Sequence, residues 1–484
     1  MIFNSFQILW LFPLIFVFYH LANSWGGQNL SLKENKAGNY ILLIISYLLY
    51  IQWNACFALV LLWITFVTFI AAKYLGNKDD KYDGWGKTLI WLALIVALLP
   101  LGIFKYADWV VGSINELGFF PRIHGLNWAI PLGISFYTFQ AVGYMLDVYK
   151  RRIKAENNWW DYMLFVAFFP QILAGPISKA EELLPQIKAQ RKFDYNKSVE
   201  GLKLLLWGMF LKVVFADRLG IYVDMIYSTY EHQSGLSCFV GSILYTFQIY
   251  GDFAGYSLMA IGSGKVLGFD LVENFHRPYF AASITEFWRR WHISLTRWLT
   301  THVYISLGGS RCSKTRQYWN ILVTFFVSGL WHGANWTFIV WGLIHGVFQI
   351  IEKVLGIDPK GRFSNISWVK KLKPARILIT FLIVNMAWIL FRMPTINDAV
   401  AVMTKIVSDG SLNVFKPNNS ITLFTVLAIM IVMVKETIEE FYPHKIELFN
   451  NTRSVVRWAT YITLGCMILL MGVFDSSQFI YVSF

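Results

Sequence analysis

The chain has 484 residues, of which 56% are apolar, 18% aromatic and only 15% charged, and its mean hydropathy is +0.48. Soluble domains carry about 25% charged residues, so this composition excludes a soluble multi-domain protein and also a disordered chain. The net charge is +13, but the basic residues form short clusters between apolar runs, as in Lys150–Lys154. Such clusters are typical of cytoplasmic loops of membrane proteins, and they argue against nucleic-acid binding.

Apolar segments recur along the whole chain. They lie near residues 5–22, 40–54, 56–76, 88–107, 126–149, 160–178, 199–219, 236–262, 318–331, 334–356, 375–392, 420–434 and 455–474. At about 20 residues per span, they predict an all-α polytopic membrane protein with roughly 11 to 13 embedded helices. The polar stretches between them are loop-sized, so we expect a single domain over residues 1–484. The first segment, Phe6–Leu21, lacks a preceding basic region and is interpreted as a membrane helix rather than a cleaved signal.

Several segments contain helix breakers and polar side chains. Residues 126–149 include Pro131 and Gly133, and residues 236–264 include Gln248 and Asp252. Such groups are tolerated at membrane depth only where protein or a water-filled cavity surrounds them. Each one alone is equally well explained by contacts between helices, but together they favour an internal cavity over a simple bundle.

A helix of a different kind is predicted near residues 283–300. Ser283 and Glu286 have the spacing of a capping box, so the helix should begin there. Tryptophan, phenylalanine and leucine recur at helical spacing after it, while Arg289 and Arg290 lie off that stripe. The pattern indicates an amphipathic helix at the membrane interface. It is either a plain anchor or a helix whose arginines line a cytoplasmic pocket for a phosphate-bearing donor.

Two histidines stand in an otherwise uncharged apolar stretch. His332 and His345 are each followed by a glycine. An ionisable group inside a membrane is costly, which makes both residues functional candidates. Burial disfavours the charged imidazolium, and a neutral imidazole can accept a proton from a hydroxyl group as a general base. The alternative for each is a hydrogen bond that only holds a neighbouring helix.

The spacing of the two histidines limits this interpretation. They are 13 positions apart, which on one straight helix means about 20 Å of rise and about 220° of rotation. Either Gly333 and Gly342 break the element, or the histidines serve different depths of one cavity. No further ligand has metal-site spacing nearby, and the four cysteines form no CxxC pair, so neither a metal site nor a disulfide is predicted. A Ser-His-Asp triad is not supported, because the chain has no G-x-S-x-G elbow.

The sequence around these histidines resembles a known family. Trp331-His-Gly-Ala-Asn-Trp-Thr-Phe338, followed by Trp341-Gly-Leu-Ile-His-Gly346, is similar to the signature of the membrane-bound O-acyltransferases, in particular the bacterial branch that includes the membrane subunit of alginate O-acetylation. Further matches to that branch run in one order along most of the chain. They are Leu101–Ala107, Pro131–Gln140, Asp147–Tyr149, Phe169–Pro176, Asn274–Tyr279, Ser283–Leu295 and Leu307–Arg311.

The resemblance implies a fold, a reaction and a location. The fold would be a bowl of tilted helices with a central tunnel, in a bacterial inner membrane and in contact with its lipids. Acetyl-CoA would donate an acetyl group from the cytoplasm, with no permanently bound cofactor. The acceptor would be an exported polysaccharide, reached through a periplasmic partner such as an SGNH-type acetyltransferase.

The resemblance also assigns site residues. His332 matches the catalytic histidine of the family, and His345 matches its second histidine. Further candidates for the donor tunnel are Trp331, Asn335, Asp252, Arg289 and Arg290.

The chain differs from that branch in two segments. Gly251 and Leu258 stand where relatives have phenylalanine and aspartate, although Asp252 is kept. Thr300 and Thr301 replace an Arg-Asp pair. These changes bear on donor contacts or partner docking and leave the histidine motif intact.

Two other classes of function remain open from the residues alone. Broken helices and polar groups near the midplane also suit a transporter or flippase of a glycan export system. The chain lacks the repeated halves and paired membrane carboxylates often found in that class. A non-catalytic scaffold of an export complex is the other alternative.

Overall fold

A computed structural model describes residues 6–29, 36–76, 84–118, 122–359, 361–363, 366, 371–442 and 449–474. Every regular element within these ranges is helical, so the predicted all-α fold is confirmed. The α-helices are α1 (Phe6–Asn29), α2 (Ala37–Ile51), α3 (Ala55–Gly76), α4 (Gly84–Leu101), α5 (Ala107–Leu117), α6 (Ile134–Tyr149), α7 (Trp159–Ala167), α8 (Ala180–Lys188), α9 (Tyr195–Met209), α10 (Asp217–Tyr227), α11 (Gly235–Val266), α12 (Ile284–Arg290), α13 (Ile293–Leu299), α14 (Lys314–His332), α15 (Trp336–Leu355), α16 (Lys373–Arg392), α17 (Ile396–Ser408), α18 (Asn419–Phe441) and α19 (Ser454–Met471). Short π-helical turns extend α4, α9 and α13 at Gly102–Tyr106, Phe210–Ala216 and Thr300–Tyr304, and 3₁₀ turns lie at Tyr230–His232 and Pro278–Phe280.

Six helical segments in the described ranges are long and apolar enough to cross a membrane. They are Ala55–Gly76, Trp85–Leu117, Trp336–Leu355, Lys373–Arg392, Asn419–Phe441 and Ser454–Met471. The chain is therefore a multi-pass membrane protein. The count of roughly 11 to 13 embedded helices and the bowl shape stay predictions, because length and hydropathy single out only these six.

The helices group into two compact units. One comprises Met1–Leu205 with Met259–Val272, and the other comprises Leu206–Leu258 with Glu273–Phe484. The assignment of the whole chain to one domain stays a prediction. Both predicted histidines belong to the second unit.

In the first unit, the helix predicted over residues 126–149 begins only at Ile134. Gly133 precedes it with φ +71°, a left-handed conformation that favours glycine. A Cβ at this position would also collide with the backbone carbonyl oxygen of Ile172. The predicted breaker at Gly133 is thus confirmed, and the predicted segment was too long at its N-terminal end.

The segment predicted over residues 160–178 is helical only in α7, which ends at Ala167. The following turn is held by side chains: Gln171 donates to the Gln140 side-chain oxygen at 3.0 Å, and Ser178 donates to Gln171 at 2.8 Å. The buried polar groups therefore satisfy one another inside protein, as the membrane environment requires.

In the second unit, α14 and α15 form an antiparallel pair, α16 packs against α15, and α12 packs against both α15 and α16. Glu352 near the end of α15 fixes the start of α12, because its carboxylate accepts from the backbone N–H groups of Ile284 and Thr285. This arrangement places Phe287 and Trp288 of α12 beside His345.

The prediction of one continuous helix near residues 283–300 is wrong. Ser283 does cap the N-terminus of α12 by accepting from the Glu286 N–H at 3.0 Å. However, α12 ends at Arg290, and α13 begins at Ile293 after His292, which has φ +43°. That conformation is unfavourable inside a right-handed helix and interrupts it. The position of this segment at the membrane interface stays a prediction.

Candidate active site

The chain breaks where α14 meets α15. α14 ends at His332, Gly333 is extended, and Asn335 caps α15 by accepting from the Thr337 N–H at 3.0 Å. The side-chain nitrogen of Asn335 donates to the carbonyl oxygen of Pro394 at 2.7 Å. Of the two alternatives for the histidines, the helix break is confirmed at Gly333, while Gly342 lies inside continuous α15.

Glycines bring α14 and α15 into close contact. A Cβ at Gly342 would collide with the carbonyl oxygen of Phe325, and a Cβ at Gly329 would collide with the carbonyl oxygen of Phe338. Small residues at such positions allow membrane helices to approach closely. The spacing between the two histidine-bearing helices therefore depends on the absence of side chains at these positions.

His332 lies at the end of α14 with 2% of its surface exposed. Its ring contacts Trp341 and Phe391 at centroid distances of 4.9 and 5.3 Å, and the ring of His292 lies 6.5 Å away. The predicted candidate Trp331 is also buried and contacts His292 at 5.6 Å. These five rings thus form one buried aromatic cluster.

His345 lies on α15 and is fully buried in a box of aromatic rings from α12 and α15. Phe287 stacks on it at 6.1 Å, and Trp288 and Trp341 meet it edge-on at 5.2 and 5.1 Å. Neither ring nitrogen has a hydrogen-bond partner in the part of the chain that the structure describes. Trp341 contacts both His332 and His345, so one indole ring connects the two histidines.

His292 was not among the predicted site residues. It lies in the break between α12 and α13, is fully buried, and contacts Phe253 at 4.6 Å as well as Trp331 and His332. Burial lowers the pKa of His292 to about 3, so its ring is neutral at physiological pH. The sequence contains a signal for it, since the histidine ends a Trp-Arg-Arg-Trp-His run, but that run was interpreted as an interfacial helix.

The tautomer of His292 follows from its partner. The Asn274 side-chain oxygen accepts from the backbone N–H of Ser294 at 3.1 Å, which identifies that atom as oxygen. The same oxygen lies 3.1 Å from Nδ1 of His292. Nδ1 must therefore carry the proton, and Nε2 keeps a lone pair that can accept one.

A cavity of about 190 Å³ lies beside the histidines. Thr324, Phe325 and Ser328 of α14 and Gln349 and Lys353 of α15 line it, together with Trp288 and Thr300. His332 lies one helical turn beyond Ser328, and His345 lies one turn before Gln349, so the lining faces of both helices continue to the histidines. Thr300, one of the two residues that replace the Arg-Asp pair, thus belongs to the cavity wall.

The candidate Asp252 is buried among charged side chains of its own unit. It forms a buried ion pair with Lys212 at 2.6 Å, and Lys212 also pairs with Asp217 at 2.5 Å. Its neighbour Phe253 is the residue that contacts His292. The structure therefore gives Asp252 a partner in the helix packing, and a donor-binding role for it stays a prediction.

The two predicted arginines differ in their surroundings. Arg289 is exposed, whereas Arg290 pairs with Glu286 at 2.7 Å and with both carboxylate oxygens of Glu440 at 3.0 Å. The paired guanidinium links α12 to α18. Two carboxylates neutralise its charge and occupy its N–H groups, so it is poorly suited to bind a donor phosphate. Arg289 is the freer of the two to contact a ligand.

Comparison with known proteins adds to this geometry. Residues 48–393 match the sequence model of the membrane-bound O-acyltransferase family. The probable alginate O-acetylase AlgI of Pseudomonas aeruginosa is 36% identical over 87% of this chain and 77% of the relative. The peptidoglycan O-acetyltransferase of Helicobacter pylori is 34% identical over 75% of this chain and 72% of the relative. The teichoic acid D-alanyltransferase of Streptococcus thermophilus is 25% identical over 73% of this chain and 83% of the relative.

Proposed function

This chain belongs to the membrane-bound O-acyltransferase family, and from that premise we propose that it transfers an acetyl group from cytoplasmic acetyl-CoA toward an exported cell-surface polysaccharide. The two relatives named as O-acetylating enzymes are more similar to this chain than the relative named as a D-alanyltransferase, at 36% and 34% against 25% identity. That difference supports acetyl as the transferred group.

One observation carries the mechanism: buried His332 ends α14, one turn beyond the cavity wall and beside the neutral ring of His292. His332 acts as the general base that takes the proton of an acceptor hydroxyl group. The hydroxyl oxygen then attacks the thioester carbonyl carbon, and the thiol of coenzyme A leaves. The tight aromatic packing around His332 keeps water away from the thioester.

In this proposal, the acyl donor binds in the cavity. It lies between Trp288 at its inner wall and Lys353, whose side chain is 27% exposed. The thioester arm of coenzyme A is narrow enough to enter such a cavity. Lys353 lies at its mouth and contacts Asp358 only at 3.9 Å, so it can attract the phosphates of coenzyme A. Arg289 is a further candidate for these phosphates. His345, inside its aromatic box, positions the acyl end of the donor.

The acceptor side faces away from that mouth, where α14 ends at His332. The acetyl group passes there to a polysaccharide hydroxyl or to a secreted SGNH-type acetyltransferase that carries it to the polymer. This arrangement requires a bacterial inner membrane, with the donor on one side and the acceptor on the other. The transporter alternative gives no chemical role to the buried contact between His292 and His332.

The test is His332→Ala in cells that make the acetylated polymer. The variant should insert normally yet leave no base-labile acetate on the cell-surface glycan, because the acceptor hydroxyl keeps its proton. The control His276→Ala removes an exposed histidine of the same unit and should leave acetylation unchanged. Normal acetylation by His332→Ala would remove His332 from the mechanism, and solute movement in liposomes without any acetyl transfer would favour the transporter.

A further inference from the structure

Ser328 is an unusual residue in the cavity wall. It is 2% exposed, and its hydroxyl oxygen is fully enclosed without a hydrogen-bond partner among the residues that the structure describes. A buried hydroxyl group is normally satisfied, since leaving it unpaired costs free energy. Thr324 lies one turn earlier in the same wall, and its hydroxyl group is satisfied in the usual way. It donates to the Asn320 carbonyl oxygen at 2.6 Å.

The position of Ser328 relates it to both histidines. It lies four residues before His332 on α14, so the two side chains are neighbours on one helix face, with Cβ atoms about 5–6 Å apart. The same cavity wall contains Trp288 and Phe325, whose rings contact His345 at 5.2 and 6.4 Å. A thioester carbonyl that reached this point would lie between the Ser328 hydroxyl group and the base.

We propose that the Ser328 hydroxyl group donates a hydrogen bond to the thioester carbonyl oxygen during acyl transfer. This inference rests on the proposed function, because it needs a thioester in the cavity. The unpaired hydroxyl group would be satisfied by the donor molecule, and most strongly when the carbonyl oxygen becomes an oxyanion. A hydrogen-bond donor that is already held in place in a dry site needs no reorganisation when the oxyanion forms.

In this proposal, acyl transfer past Ser328 and His332 takes two steps. The acceptor oxygen forms a bond to the carbonyl carbon while its proton passes to His332, and the carbonyl oxygen becomes an oxyanion held by Ser328. The carbonyl then re-forms, the carbon–sulfur bond breaks, and the thiolate leaves with the proton from His332. An alcohol and a thioester give an ester and a thiol, with no oxidation or reduction and no change at Ser328.

The test compares Ser328→Ala with Thr460→Val, a control in α19 outside the cavity wall, in purified protein reconstituted in lipid, with acetyl-CoA as donor and glycan extract as acceptor. Free thiol and acetylated glycan are measured. Ser328→Ala should lower kcat on the order of 100-fold, as expected for removal of one oxyanion donor. It should raise the KM for acetyl-CoA by the smaller factor that a hydrogen bond to the uncharged carbonyl contributes. Thr460→Val removes a hydroxyl group that is already paired inside a helix, with the Val456 carbonyl oxygen at 2.9 Å, so its kcat should stay within about threefold of the wild type.

A pair of unreactive donor analogues separates a direct contact from a structural effect. A ketone analogue of acetyl-CoA keeps the carbonyl oxygen, whereas a thioether analogue of equal length lacks it. The wild type should bind the ketone more tightly than the thioether, and Ser328→Ala should bind the two alike. If the alanine variant does not fold, Ser328→Cys can replace it in both measurements. Its thiol has nearly the size of the hydroxyl group but is a weaker hydrogen-bond donor.

The outcomes are distinguishable. A Ser328→Ala enzyme with the kcat of Thr460→Val, or with the analogue preference of the wild type, overturns the role of Ser328, and the proposed function stands as long as His332→Ala is inactive. A wild-type protein that releases no thiol and acetylates no glycan overturns the proposed function, and the inference with it.

Discussion

At His292, one hydrogen bond determines which ring nitrogen can accept a proton. Asn274 gathers three groups on its side-chain oxygen: the N–H and the hydroxyl of Ser294, and Nδ1 of His292. Its amide nitrogen donates to Ser257 at 3.1 Å. Asn274 thus holds the break between α12 and α13 and sets the tautomer of the histidine nearest to His332.

Replacement of Asn274 by leucine should therefore lower activity. Loss of a buried hydrogen bond costs about 1–3 kcal/mol, which corresponds to roughly a 10- to 100-fold loss of kcat if the wrong tautomer results. Asn274→Asp keeps an acceptor for Nδ1–H and should recover most of the rate. Acetyl-transfer kinetics of the two purified variants give the comparison, and a leucine variant with the rate of the wild type would show that the tautomer is irrelevant.

At the scale of elements, the site depends on how tightly α14 and α15 pack. His332 and His345 lie on different helices, and Trp341 contacts both. The Cα of Gly342, the residue next to Trp341, faces the Phe325 carbonyl oxygen across the interface. A wider spacing between the helices would separate Trp341 from its partners, so stability and activity depend on the same contact.

Gly342→Ala should destabilise the protein by about 1–3 kcal/mol, the usual cost of overpacking, and should lower acetyl transfer as well. Gly465→Ala in α19 is the matched control, because no atom lies within 4 Å of the added Cβ. That change should be neutral or slightly stabilising, since alanine is the better helix former. Thermal unfolding of both variants in one detergent measures the difference, and equal melting temperatures would contradict the role of this contact.

The sequence predicts local features of these elements well and distant contacts poorly. The cap at Ser283 and the breaks at Gly133 and Gly333 follow from residues that are close along the chain. The neighbourhood of His292 and His332 joins residues 40 positions apart, and no local pattern contains it. The ion pair between Lys212 and Asp252 has the same 40-residue separation. Because packing decides these contacts, spacing along one helix could not identify His292 as a site residue.

At the scale of the whole molecule, charge distinguishes the two ends of the second unit. The end where α14 and α16 begin and α15 ends is rich in basic residues. They are Arg311, Lys314, Arg316, Lys353, Lys371, Lys373 and Arg376. At the other end, Arg392 pairs with Asp224 at 2.8 Å and Lys405 contacts the Glu231 backbone, with Asp398 and Asp409 nearby. By the positive-inside rule, we expect the first end to face the cytoplasm.

This orientation can be measured with cysteines. Cys312 is exposed at the basic end, and Asn397 is exposed on α17 at the opposite end. With Cys56, Cys238 and Cys466 replaced by serine, a membrane-impermeant maleimide should label Cys312 in inside-out vesicles and not in spheroplasts. Asn397→Cys in a chain without the other cysteines should give the reverse pattern.

The labelling result bears directly on the direction of transfer. Lys353 and the mouth of the cavity lie at the end that contains Cys312, while His332 lies toward the end that contains Asn397. Cytoplasmic labelling of Cys312 would therefore give acetyl-CoA access to the cavity and leave His332 reachable by an acceptor from outside. Labelling of Cys312 in spheroplasts would place the mouth of the cavity outside the cell, where no acetyl-CoA is available, and would reject acetyl-CoA as the donor.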